Sequence, residues 1–148
     1  MPKEKISSYQ FSDPQDECGV TAIFSKSRTH VSPEIPRMQH RLQHRGRDSA
    51  GMASYNHELG KLVVYKNNVS VQHVFGGVVD RIVDEFSTTF IFAQHKLLSD
   101  VAIGHNRYGT SGDVNKDSVL GAQPMMMEWE GRSLALAFNG NIPQFERA

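Results

Sequence analysis

A chain of 148 residues has room for one domain around a single two-layer core, and its 39% hydrophobic content and 12 glycines are ordinary for a soluble globular protein. Sixteen lysines and arginines balance sixteen aspartates and glutamates. A formal charge of zero argues against nucleic acid or an anionic membrane as the main partner, because both require a basic excess. The longest apolar runs, such as 133–138, are far too short to cross a bilayer, and residues 1–17 lack the apolar core of a secretory signal. The cytoplasm is the expected compartment. The one cysteine, Cys18, cannot form an internal disulfide, so it is either a small buried hydrophobe or a reactive thiol.

In chain order, residues 1–17 read as a charged, unstructured lead-in. Residues 18–24 are apolar and β-branched, which predicts a buried strand. Ser32, Pro33 and Glu34 supply an N-cap, a first-turn proline and an early acid; Ile35, Met38 and Leu42 follow at helical spacing, and the helix is expected to stop near Gly46. Residues 50–55 and 62–66 read as strands joined in a hairpin by the polar turn 56–60. Val71, Val74, Phe75, Val78, Val79, Ile82, Val83 and Phe86 predict a second helix capped by Ser70, with Gly76 and Gly77 each costing about 1 kcal/mol inside it. Further strands are expected at 89–93, 101–105 and 134–138, giving a layered α/β or α+β domain. His40 and His44, four apart on the first helix, have a spacing that can chelate, but no Cys, Asp or Glu completes a set, so no metal is expected. Met125, Met126 and Met127 read as core or loop filling.

Four segments, in order, form a signature: Glu17-Cys-Gly-Val20, Leu42-Gln-His-Arg-Gly-Arg-Asp-Ser-Ala-Gly51, Ile103-Gly-His-Asn-Arg-Tyr-Gly-Thr-Ser-Gly112 and Leu134-Ala-Leu-Ala-Phe-Asn-Gly-Asn141. Together they closely resemble the glutaminase domain of class II, N-terminal-nucleophile glutamine amidotransferases, and within that class the amidophosphoribosyltransferase branch. Tyr108 follows the motif arginine where the glucosamine-6-phosphate synthase branch has tryptophan. The match runs from Cys18 almost to the last residue. It implies an α+β fold, the four-layer αββα sandwich, and a transferase of purine biosynthesis whose glutaminase step needs no cofactor.

The resemblance also implies roles. Cys18 is the nucleophile, and its own α-amine, once residues 1–17 are removed, is the base. An α-amine with a pKa of about 7.7–8.0 is roughly one-third neutral at pH 7.5, whereas a lysine amine near 10.4 is only about 0.1% neutral. Asn139 and Gly140 supply the oxyanion hole, although Asn-Gly is also a common hairpin turn. Arg107 is the clamp for the glutamine α-carboxylate, with Thr110 adding a hydroxyl. Arg45 and Gly46 lie beside the nucleophile; the same pair can also read as a basic last turn and a C-cap glycine.

The family aspartate that holds the substrate α-amino group has no counterpart after Asn141, and a synthase or phosphoribosyltransferase domain has none either. The expected partners are therefore glutamine and such a domain or subunit outside this chain, with a homo-oligomer also open. A sandwich cut midway is expected to expose strand edges and an apolar face. Two functional readings stand side by side: a glutaminase that releases ammonia to an acceptor such as phosphoribosyl pyrophosphate, and a non-catalytic or vestigial module acting as a regulatory or assembly subunit.

Overall fold

The computed structural model describes residues 18–75, 92, 95–108 and 119–140. The lead-in, the greater part of the second helix's periodic run, and Thr110 lie outside the described residues. β1 (Gly19–Phe24), β2 (Ser49–Asn56), β3 (Lys61–Asn67) and β4 (Val101–Arg107) form one antiparallel sheet in the order β1-β4-β2-β3. β5 (Met125–Trp129) and β6 (Arg132–Leu136) form a separate two-stranded ribbon. The hairpin expected around residues 56–60 is present, with β2 and β3 paired from Ala50–Asn67 to Asn56–Lys61.

α1 (Glu34–Arg41) and α2 (Val71–Val74) cover one face of the larger sheet. That face is set by strand alternation: Met52 pairs with Tyr65 and with Gly104, and Gly104 pairs with Thr21, so these residues point the same way. A Cβ on Gly104 would lie 2.6 Å from Ile35 Cγ2 and 2.6 Å from Thr21 Oγ1, so the missing side chain is what admits α1. Ile35, Ala50, Met52, Val71, Phe75, Phe92, Leu97 and Ala102 make the core on this side. Each large apolar side chain fully buried there contributes about 1.5–3 kcal/mol.

The other face carries Gly51, Lys66 and His105, and against it lies the segment that leads into β5. A Cβ on Gly51 would collide with the Gln123 carbonyl, and Lys66 Nζ donates to the carbonyls of Ala122 (2.6 Å) and Pro124 (3.2 Å). Burial lowers the Lys66 pKa below its ordinary value. Helices, four-stranded sheet and two-stranded sheet thus form three layers of the αββα sandwich. The second helical layer has no counterpart among the described residues.

Several local expectations are corrected. Ser32 is not the cap of α1: Pro33 occupies that position, and the fully buried Ser32 hydroxyl accepts from Ser99 N–H at 2.9 Å instead. The helix does not run evenly to Gly46. It ends at Leu42 and tightens into a 3₁₀ turn over Gln43–Arg45, so exposed His40 and His44 share no continuous helical face. Of the strand expected at 89–93 only Phe92 is described, and it is helical. Met125, Met126 and Met127 are strand residues rather than filling, and Met126 and Met127 are exposed. Glu130 (φ 48°) and Gly131 (φ 73°) form the tight turn between β5 and β6. Val20, Phe24, Met127, Trp129, Leu134 and Leu136 leave apolar surface exposed on the sheets.

Candidate active site

The C-terminal end of β4 gathers the candidate residues. Gly19 is paired with Asn106 and Ser49 with Arg107, so continuing the β1 register by one residue brings Cys18 level with Arg107. Cys18 is partly buried and its thiol is free. Arg45, at the end of the 3₁₀ turn, reaches back to this point, with its Nε donating to the Cys18 carbonyl at 3.4 Å.

Gly46 is required by close approach rather than by helix capping. Its φ of −169° and ψ of 125° are extended, not left-handed. A Cβ there would stand 2.7 Å from Arg107 C, 2.8 Å from Arg107 O and 2.9 Å from Asn106 C. Backbone thus lies directly on backbone, and Asp48 N–H donates to the Arg107 carbonyl at 3.1 Å just beyond. Gln43 steadies the approach: its Nε2 donates to the Gly46 carbonyl at 2.7 Å, and its Oε1 accepts from Val71 N–H at 3.1 Å.

Arg107 projects from the last position of β4, and Nη1 donates to the Gly121 carbonyl at 3.0 Å. A Cβ on Gly121 would collide with Nη1, so a side chain there would push the guanidinium aside. A guanidinium has five N–H donors, so one bond to Gly121 orients the fork while capacity for a carboxylate remains.

Asn139 and Gly140 are exposed just past the end of β6, and Gly140 has φ of +153°, a conformation L side chains rarely adopt. They reach the β4 end through Phe138. Fully buried His105 places Nε2 3.1 Å from the Phe138 carbonyl, and Phe138 N–H donates to Gln123 Oε1 at 2.9 Å. A carbonyl only accepts, so Nε2 carries the proton. Nδ1 is buried and finds no hydrogen-bond partner among the described residues. Burial, together with the Arg107 charge, pulls the His105 pKa down to about 4 despite the opposing bond to Phe138. The ring is neutral at pH 7.

Gln39 and Asn106 tie the same strand to α1. Gln39 Nε2 donates to the carbonyls of Gly51 (2.8 Å) and His105 (3.0 Å), while Asn106 Nδ2 donates to the Gln39 carbonyl at 2.7 Å. The sequence by itself points to no role for these buried amides, nor for His105 and Gln123. For His105 and Asn106 the sequence signal is a pair of polar residues following the apolar start of the segment 101–107. Among the described residues, no three of His, Cys, Asp and Glu cluster in a way that could hold a metal ion. No described helix is long and apolar enough to cross a membrane.

No family model matches the chain. Among curated proteins it is similar to the amidophosphoribosyltransferase of Methanothermobacter thermautotrophicus, with 31% identity over 132 residues, covering 88% of this chain and 24% of that protein. Amidophosphoribosyltransferase 3, chloroplastic, of Arabidopsis thaliana is 32% identical over 136 residues, covering 89% of this chain and 21% of that protein. Among solved structures, the glutamine phosphoribosylpyrophosphate amidotransferase of B. subtilis complexed with ADP and GMP matches with a TM-score of 0.54 and 28% identity. That match covers 80% of this chain and 21% of that one. The chain therefore belongs to the class II glutamine amidotransferase domains, with the fold of the N-terminal-nucleophile hydrolases. Within that class it is most similar to the amidophosphoribosyltransferases, and it spans less than a quarter of the length of the curated relatives just described.

Proposed function

We propose that the domain hydrolyses the side-chain amide of glutamine, with Cys18 as nucleophile, and delivers ammonia to an acceptor such as phosphoribosyl pyrophosphate in purine biosynthesis. The observation that carries this reading is the convergence at one strand end: Arg45 on the Cys18 backbone, Gly46 on the Arg107 backbone, and the Asn139-Gly140 turn tied to β4 through His105. Similarity to amidophosphoribosyltransferases supports the purine acceptor, which a synthase or phosphoribosyltransferase domain outside this chain would bind.

The steps follow from the groups present. After removal of residues 1–17, the α-amine of Cys18 takes the thiol proton, and the thiolate attacks the glutamine Cδ to form a C–S bond. Negative charge collects on the amide oxygen, where the Asn139 side-chain amide and the Gly140 N–H donate to it. Collapse of this intermediate breaks the C–N bond, and the ammonium form of the α-amine returns its proton to the departing ammonia. Water then cleaves the thioester to give glutamate. Arg107 holds the substrate α-carboxylate throughout, with Thr110 assigned to the same group by resemblance.

Two measurements test the reading. Intact-mass analysis is expected to find mature protein beginning at Cys18, and a glutamine-analogue electrophile is expected to label that residue stoichiometrically. Ammonia release from glutamine by protein that still begins at Met1 would refute it.

A further inference from the structure

Phe138 is the residue immediately before the proposed oxyanion-hole pair, and its backbone lies beyond the β5–β6 ladder, which ends at the Met125–Leu136 pair. Without a strand partner, its N–H and C=O need other partners. Two nearly buried side chains supply them, one on each group: Gln123 Oε1 on the N–H and His105 Nε2 on the carbonyl.

We propose that His105, acting with Gln123, is a positioning residue: it clamps Phe138 so that the Asn139 amide and the Gly140 N–H are held in register with Cys18. The proposal rests on the reading of Asn139 and Gly140 as the oxyanion hole.

Three observations separate this role from that of a core histidine which merely finds the nearest acceptor. His105 and Gln123 bond to the same residue, on its two opposite polar groups, so together they fix its rotation as well as its distance. The ring is itself held rigidly. Its backbone is paired with Gly51 across β2, its carbonyl accepts from Gln39, and its side chain has no solvent exposure. Finally, the ring leaves Nδ1 buried without a partner among the described residues, a cost that a leucine would not incur. Among the described residues the ring's one hydrogen bond is the one to Phe138. Oxyanion donors act only when aimed at the developing charge, and a misplacement of about 1 Å costs on the order of 100-fold in rate.

The test compares His105→Leu with His105→Gln, whose side-chain amide can still donate to the Phe138 carbonyl. Two readouts are taken: hydrogen exchange at Phe138 N–H, referenced to Ala102 and Gly104 in β4, and the steady-state kinetics of glutamine hydrolysis. In the leucine variant Phe138 is expected to lose protection selectively while kcat falls about 10- to 100-fold and KM stays within about two-fold. The glutamine variant is expected to restore both. Unchanged Phe138 protection in the leucine variant, a glutamine variant as impaired as the leucine one, or a rise in KM matching the loss of kcat would each overturn the proposal. Should His105→Leu not fold, Gln123→Leu removes the other half of the clamp and carries the same two readouts, with Gln123→Glu as the acceptor-retaining control. If the unsubstituted chain releases no ammonia, the glutaminase reading falls, and the exchange comparison still decides whether the clamp exists.

Discussion

Acidification is expected to weaken this fold through one histidine. His105 titrates at about 4 in the folded state, against an ordinary value of 6.5, because protonation would place a charge in a buried site and beside Arg107. Between these two values the unfolded chain binds a proton that the folded chain refuses, so stability falls as pH falls. The contribution is fully present above pH 6.5, declines through the window and is lost at about pH 4. At about 1.4 kcal/mol per pH unit, the displacement amounts to roughly 3 kcal/mol. That is a large fraction of the 5–15 kcal/mol typical of domains. The assay is urea unfolding followed by circular dichroism between pH 7.5 and pH 4, for the unsubstituted chain and for His105→Gln. Glutamine does not titrate, so the difference between the two curves isolates this group from every other ionisable residue. The unsubstituted chain should lose about 3 kcal/mol more than the variant across the window. A difference that stays constant with pH would mean that His105 already ionises freely, and the account of its buried, neutral ring would be wrong.

Other substitutions probe the rest of the site. Gly46→Ala forces a methyl group against the Arg107 and Asn106 backbone, which no rotamer change relieves, and should destabilise by about 1–3 kcal/mol in the same unfolding assay. Gly121→Ala instead displaces only the flexible end of Arg107, so it should raise the KM for glutamine while the unfolding midpoint stays nearly unchanged. Cys18→Ser should abolish ammonia release, since a hydroxyl is a far weaker nucleophile at neutral pH. Asn139→Ala should lower kcat by about 10²–10³ with little effect on KM, and Arg107→Ala should chiefly raise KM. The reverse pattern would exchange or cancel those two roles.

The local pattern of the sequence suffices for β1 to β4 but not for β5, whose methionines read as core or loop filling. Short apolar runs bounded by polar turns mark β2, β3 and β4, and the segments containing Cys18, Arg45-Gly46, Arg107 and Asn139-Gly140 are recognisable because the chemistry proposed for them restricts residue type. Tertiary structure alone decided why several residues must be what they are. Gly46 looks like a helix-ending glycine in sequence, yet it is fixed by the β4 backbone more than sixty positions away. Ser32 looks like a cap, yet its hydroxyl serves Ser99. In sequence His105 is one member of the signature segment 103–112, with no role of its own. Its neutral state and its hold on Phe138 come from burial and from a carbonyl 33 residues away in the chain. Short-range periodicity encodes which face of an element is apolar, because side-chain direction repeats along the chain. Close approaches and buried hydrogen bonds depend on which distant segments meet, and only the folded chain determines that.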